Sequence, residues 1–139
     1  MPIGKLNQQL ILINELHCTL KQETTCLKEK SFSNLNEILK QKKQKLTLIS
    51  ELDSALSNST SLQQIETSEE AKKIKKEILI ILEKCQYINN INGKLVEVGM
   101  RSNKHLTQLI KQATGKNSIT YDQKGMLHGG LLLGKNIQA

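Results

Sequence analysis

The residues able to perform acid–base, nucleophilic or metal chemistry form no recognisable set in this chain of 139 residues. His17, His105 and His128 lie in separate segments, and no serine, histidine and aspartate set, cysteine and histidine pair or cluster of carboxylates can be assembled from the spacing. The glycines between positions 125 and 130 lack the lysine and serine of a phosphate-binding loop and follow no predicted strand. We therefore predict no catalytic residue, no cofactor, no metal site and no enzymatic activity.

The cysteines and the apolar runs indicate the compartment. Cys18, Cys26 and Cys85 are odd in number and widely spaced, which is typical neither of a disulfide framework nor of a zinc site, so we expect free thiols. The longest unbroken apolar run, residues 78–82, is far shorter than the roughly 18 residues that span a bilayer, and the first ten residues lack the apolar region of a signal peptide. These features predict a cytoplasmic protein with no membrane insertion.

The charge is strongly basic, with twenty lysines and arginines against thirteen acidic residues and a net charge of +7. All but one of the basic residues are lysines, so Arg101 alone could make a bidentate contact to guanine or phosphate. The lysines between positions 72 and 76 fall outside the apolar stripe of their segment, as expected for a solvated face. Three scattered aromatic residues offer no stacking platform for single strands, and we predict no nucleic-acid partner.

The apolar composition predicts an all-α fold. Leucine and isoleucine dominate, whereas β proteins favour β-branched and aromatic residues in short alternating runs. Apolar residues at spacings of three and four predict a first helix over residues 5–57. Between Leu27 and Leu35 the spacing is eight, and residues 31–34 are poor helix formers, so we expect a kink or a local change of supercoil. The alternative is a full break with Ser33 as a new cap.

A polar loop is predicted over residues 58–68, with an N-cap at 67–68 and a second helix over residues 69–113. Asn89 to Gly93 alone would favour a turn between two helices, but the unbroken phase of the apolar stripe favours one continuous helix. That stripe has the spacing of a coiled-coil seam. Its members are Ala71, Ile74, Ile78, Ile81, Cys85, Ile88, Asn92, Leu95, Gly99, Ser102, Leu106, Leu109 and Ala113.

Together the two helices predict a long antiparallel helical hairpin, coiled-coil-like, over residues 1–113. Residues 114–139 hold five of the eight glycines and predict a flexible or short-helical C-terminal tail, whose leucines at 131–133 favour docking. A hairpin this thin leaves part of its stripe uncovered, so we expect a third element to pack there: the tail, another copy or a helix of a partner.

Partner contacts are therefore predicted on the second helix and on the tail. Asn92 is expected to fix the register at the helical interface, and Asn92→Leu to raise the melting temperature. Tyr121 can anchor a contact through both its ring and its hydroxyl. The predicted partner-binding residues are Ile78, Ile81, Leu82, Ile88, Asn92, Leu95, Leu106, Leu109 and Tyr121.

Three segments of the chain resemble the FlgN family of flagellar type III export chaperones. They are Leu35-x-x-Ile38-x-x-x-Lys42 in the leucine-rich first helix, Asn89-x-x-Asn92-Gly93 in the second helix, and Thr120-Tyr121-Asp122-x-x-Gly125 at the start of the tail. The resemblance covers nearly the whole chain, and the last two segments are the specific ones.

The resemblance implies a small cytoplasmic helical chaperone that keeps hook-associated flagellar proteins, the subunits of the hook-filament junction, unpolymerised and brings them to the export apparatus. It also implies that a terminal helix of the cargo adds to the seam and that the tail with Tyr121 contributes to cargo or export-gate docking. The alternative is a structural coiled-coil adaptor or self-assembling tether, whose seam closes on copies of itself. A stable oligomer would indicate the tether, and a monomer or weak homodimer the chaperone.

Overall fold

The computed structural model describes residues 2–114, of which residues 113 and 114 are described by their backbone alone. These residues form five helices and no strand, which confirms the all-α class. The helices are α1 (Pro2–Glu29), α2 (Leu35–Leu56), α3 (Ser59–Thr67), α4 (Glu69–Met100) and α5 (Lys104–Thr114). Almost all of the predicted tail, including Tyr121, lies outside the described residues.

The helix predicted over residues 5–57 is divided into α1 and α2, so its predicted bounds are wrong. Lys30 adopts a left-handed conformation, with φ of 57°. The Ser31 amide donates to the Cys26 carbonyl at 3.0 Å and the Lys30 amide to the Leu27 carbonyl at 3.4 Å, the two bonds of a Schellman motif that ends a helix. The full break is thus the correct alternative, although Asn34 rather than Ser33 is the N-cap of α2.

Lys30→Gly is expected to raise the free energy of unfolding by about 0.5 to 1 kcal/mol, because glycine adopts positive φ without the steric cost that a lysine Cβ incurs. Urea unfolding of both proteins measures the difference. Lys28→Gly, two residues earlier at an exposed helical position, is the matched control and is expected to lower stability by about 1 kcal/mol. Equal loss in both variants would contradict the left-handed assignment.

The predicted loop over residues 58–68 contains α3, which is a second correction. The Asn58 side chain accepts a hydrogen bond from the Ser61 amide at 2.7 Å, so the polar residues act as a cap and first turn. Ile65 is buried and anchors α3 to the core. The Ser68 hydroxyl then accepts a bond from the Ala71 amide at 3.2 Å, and α4 starts at the predicted N-cap.

The second long helix is continuous through residues 89–93, so the turn alternative is wrong there. It ends at Met100, however, and not at residue 113, because Asn103 caps a new helix by accepting the Leu106 amide at 2.9 Å. A Cβ on Gly99 would lie 2.5 Å from Leu106 Cδ2, and the glycine therefore allows α5 to approach α4 closely.

The three long helices share one core, with α1 packed against both α2 and α4. The short connection over residues 30–34 makes α1 and α2 an antiparallel hairpin. Helices α1 and α4 run parallel, since Ile13 contacts Cys85 and Leu20 contacts Asn92 at the same sequence separation of 72 residues. A smaller cluster, in which α5 packs on the hairpin end of α2 and on α4, consists of Leu27, Leu35, Leu39, Val96, Leu106 and Ile110.

From residue 82 onward, every second position of the buried stripe of α4 lies one residue later than in the predicted seam. Leu82, Asn89 and Val96 are buried, whereas the residues before them, at positions 81, 88 and 95, are half-buried. A helix that faces two neighbours buries a wider stripe than the narrow seam of a two-stranded coiled coil. The full buried set is Ala71, Ile74, Ile78, Leu82, Cys85, Asn89, Asn92 and Val96.

Candidate functional site

The predicted partner-binding residues divide into three groups. Ile78, Leu82, Asn92 and Leu106 are buried within the protein's own core and present no surface to a partner in this conformation. The four half-buried members are Ile81, Ile88, Leu95 and Leu109. Tyr121 lies outside the described residues.

A polar layer formed by Glu23, Lys42, Asn89 and Asn92 crosses the core, and all four side chains are fully buried. Lys42 Nζ donates to Glu23 Oε1 at 3.1 Å and to Asn89 Oδ1 at 2.6 Å. Asn92 Nδ2 donates to Glu23 Oε1 at 2.9 Å and to the Leu20 carbonyl at 3.0 Å. The layer therefore joins α1, α2 and α4 at one level, which confirms the predicted interface position of Asn92.

Burial dominates the electrostatics of this layer. It lowers the pKa of Lys42, and the Glu23 carboxylate opposes that shift by its charge and its hydrogen bond. All four side chains are buried and together they link three helices, so the layer fixes the relative positions of α1, α2 and α4. Lys42, Asn89 and Asn92 belong to the segments that carry the family resemblance. Their contacts in the polar layer are the physical reason for these residue types at these positions.

Glu23 is the member that the sequence analysis missed. It follows Leu20 by three residues and precedes Leu27 by four, so it occupies a position of the apolar stripe. Charged residues are almost never fully buried unless paired. A lone charge on the stripe was therefore the signal that could have identified the layer from sequence.

Cys85 is the buried thiol of the core, and Cys18 and Cys26 are free thiols nearer the surface. The Cys85 thiol donates to the Ile13 carbonyl at 3.8 Å. Burial raises the pKa of Cys85 to about 12, with a smaller contribution from Cys18. The thiol therefore stays protonated at neutral pH and acts as an apolar contact between α1 and α4.

Cys85 predicts an alkaline loss of stability. Below pH 9.0, the pKa of the unfolded state, the thiol is protonated in both the folded and the unfolded state. Above pH 9.0 only the unfolded state loses the proton, so the free energy of unfolding falls by about 1.4 kcal/mol by pH 10. The lowered pKa of Lys42 has the opposite effect, because it makes the free energy of unfolding rise with pH up to about pH 10.5. This contribution is the same in wild type and in a Cys85→Ala variant. Urea unfolding of both between pH 8 and 10.5 isolates the thiol: we expect the extra loss in wild type and in a Cys18→Ala control. Parallel curves for wild type and Cys85→Ala would refute the assignment.

The α1/α4 groove is a surface groove with exposed apolar side chains. It is lined by His17, Ile80, Glu83, Lys84, Tyr87 and Ile88. Tyr87 is 68% and Ile80 48% exposed, and Ile88 is the one predicted partner-binding residue in the groove. Partial burial, Lys21 and Lys84 lower the pKa of His17, which favours its neutral form. Tyr87, missed as a contact residue, was detectable as the single aromatic of α4.

The α1/α2 groove lies on the other flank of α1. It is lined by Gln8, Ile11, Leu12, Leu48, Glu51 and Leu52. A separate depression that shares Leu48 with this groove is lined by α2 residues alone, Lys40, Lys43, Gln44 and Thr47. Ile11 is 61% and Leu48 46% exposed, so both side chains offer apolar surface that the bundle itself does not use.

Within residues 2–114 no three histidine, cysteine, aspartate or glutamate side chains are placed to hold a metal ion. None of the helices described has the length and apolar character needed to cross a membrane.

Comparison with known proteins gives one match. The family described as FlgN protein matches residues 1–129, a span that includes the polar layer, both grooves and Tyr121. No curated protein and no solved structure matches the chain.

Proposed function

Because this chain belongs to the FlgN family, a family of flagellar export chaperones, we propose that it binds hook-associated flagellar proteins in the cytoplasm. In this role it keeps those subunits unpolymerised and delivers them to the type III export gate. It performs no catalysis, and binding takes place on apolar surface that remains open on a completed helical bundle.

The observation that supports this function is the α1/α4 groove. The bundle buries its own core without Ile80 and Tyr87, so these side chains are available to another protein. An amphipathic helix docks into such a groove through apolar side chains one turn apart, and a tyrosine is a frequent hot spot of binding. We propose that the cargo contacts Tyr87, Ile80 and Ile88 here. The remaining proposed contacts are Ile81, Leu95, Leu109 and Tyr121, the last for cargo or gate docking.

Retention of a purified hook-associated subunit by the immobilised full-length chain tests the proposal. Tyr87→Ala is expected to lower the affinity about tenfold, equivalent to about 1.4 kcal/mol, with unchanged circular dichroism and melting temperature. Val98→Ala is the matched control, since Val98 is 61% exposed on the same helix and lines neither groove. Failure of the wild-type chain to retain any hook-associated subunit would refute the function.

The tether alternative makes a different prediction about stoichiometry. A self-assembling tether forms a stable oligomer without any cargo, whereas the chaperone is a monomer or weak dimer until cargo is added. Sedimentation of the chain across a range of concentrations, alone and with the subunit, distinguishes the two.

A further inference from the structure

We propose that the α1/α2 groove is a second cargo surface, which binds an amphipathic helix with aliphatic side chains on one face and a carboxylate near one end. The inference rests on the proposed function and identifies a site that the sequence analysis did not include. One helical segment of a hook-associated subunit lies in the α1/α4 groove. The occupant of the α1/α2 groove is a second helical segment of that same subunit.

The groove fits the aliphatic face of a helix. Ile11 and Leu12 of α1 face Leu48 and Leu52 of α2 across a groove between two antiparallel helices. On each wall the aliphatic residues lie within one turn of each other, so a third helix can pack its own residues at spacings of three and four between them.

Two lysines of α2, in the depression next to the groove, specify the carboxylate. Lys40 and Lys43 are exposed, and within residues 2–114 neither forms an ion pair. Lys40 lies about 18 Å from Leu52 along α2, at a rise of about 1.5 Å per residue. Glu51 lies at the opposite, apolar end. A helix is negative at its carboxyl end and positive at its amino end. The incoming helix is therefore favoured with its carboxyl end at the lysines, antiparallel to α2.

The two grooves lie at the same height on opposite flanks of α1. Because α1 and α4 pair at a separation of 72 residues, Ile80 lies level with Gln8 and Ile88 with Leu16. The α1/α2 groove occupies the same turns of α1, from Gln8 to Leu12. One cargo molecule with two helical segments can thus engage both flanks, and the first contact raises the effective concentration of the second.

A second copy of this chain fits the groove less well. Each copy carries a net charge of +7, so two copies repel each other, whereas a cargo helix with a carboxylate is attracted. A stable interface has about 20 to 30 residues a side, more than this groove alone gives to a second copy, whereas one cargo molecule also engages the α1/α4 groove.

Binding of the purified hook-associated subunit to full-length variants, measured by titration calorimetry, tests the inference. Leu48→Asp is expected to weaken the affinity at least tenfold, and Lys40→Glu with Lys43→Glu about threefold to tenfold, with the larger effect at low salt. The matched controls are Val98→Asp for exposed apolar surface and Lys73→Glu with Lys76→Glu for exposed lysines, each expected within twofold of wild type. Circular dichroism and melting verify that every variant is folded, and the double lysine variant preserves the test if Leu48→Asp does not fold.

The outcomes separate this inference from the proposed function. If wild type binds the subunit and Tyr87→Ala weakens it, while Leu48→Asp and the lysine variant bind as wild type, the inference is overturned and the function stands. If wild type binds no subunit, both fail. If sedimentation shows that Leu48→Asp abolishes a dimer of wild type while cargo affinity is unchanged, the groove is an interface between copies and the inference is overturned.

Discussion

Glu23→Ala is expected to lower the free energy of unfolding by about 3 to 5 kcal/mol, a large share of the stability of a small domain. Glu23 is the single carboxylate of the polar layer, and its Oε1 accepts from both Lys42 and Asn92. After the substitution Lys42 keeps its bond to Asn89 but loses the negative charge that offsets its burial. The loss of stability is mainly the free energy of desolvating the Lys42 ammonium group in the core. That free energy is larger than the net contribution of the lost hydrogen bonds.

Urea unfolding monitored by circular dichroism measures this loss. Glu15→Ala is the matched control, since Glu15 is exposed on the same helix, and we expect it within about 0.5 kcal/mol of wild type. The double variant Glu23→Leu with Lys42→Met removes both charges and is expected to lose less than the sum of the single variants. Additive losses would show that the two charges do not interact.

Asn92→Leu is expected to lower stability by about 2 to 3 kcal/mol, because buried groups that lose a hydrogen-bond partner keep their full cost of desolvation. The heptad spacing, in which Asn92 occupies a position of the apolar seam, predicts the opposite, a rise in melting temperature. In the structure its amide donates to the Leu20 carbonyl and to Glu23, and its oxygen accepts from the Thr24 hydroxyl. Leucine satisfies none of these groups, so the sign of the expected effect changes.

Thermal melting of Asn92→Leu decides between the two expectations. Lys94→Leu, at an exposed position two residues later on α4, controls for the intrinsic helix propensity of leucine and is expected to change little. A melting temperature above that of wild type would show that the polar layer does not depend on Asn92.

Periodicity predicted the helices of this fold well, because the spacing of leucines and isoleucines directly follows the face that each helix buries. It located the segments of α1, α2 and α4, and the eight-residue step after Leu27 marked the break. It could not determine how many neighbours a helix has. For that reason the buried positions Leu82, Asn89 and Val96 were predicted one residue too early, and the parallel pairing of α1 with α4 was not foreseen.

The candidate sites were less predictable than the fold. Lys42 enters through the family resemblance, and Asn92 also through its place in the apolar seam, but their contacts with Glu23 and Asn89 arise only when three helices meet. Ile11 and Leu48 lie outside the apolar stripes, and single exposed apolar residues are normal on protein surfaces. Whether two such residues share a groove depends on the relative rotation of α1 and α2, which the spacing within either helix does not determine.

The parallel pairing of α1 with α4 also determines the order of events during synthesis. Leu20 meets Asn92, which is translated 72 residues later, roughly 4 to 14 seconds at about 5 to 20 residues per second. Until α4 is synthesised, α1 and α2 lack the helix that covers the apolar side of α1 and the pair of Glu23 and Lys42. The nascent chain thus exposes an incomplete bundle for seconds, the interval in which intermediates of this kind are most prone to aggregate.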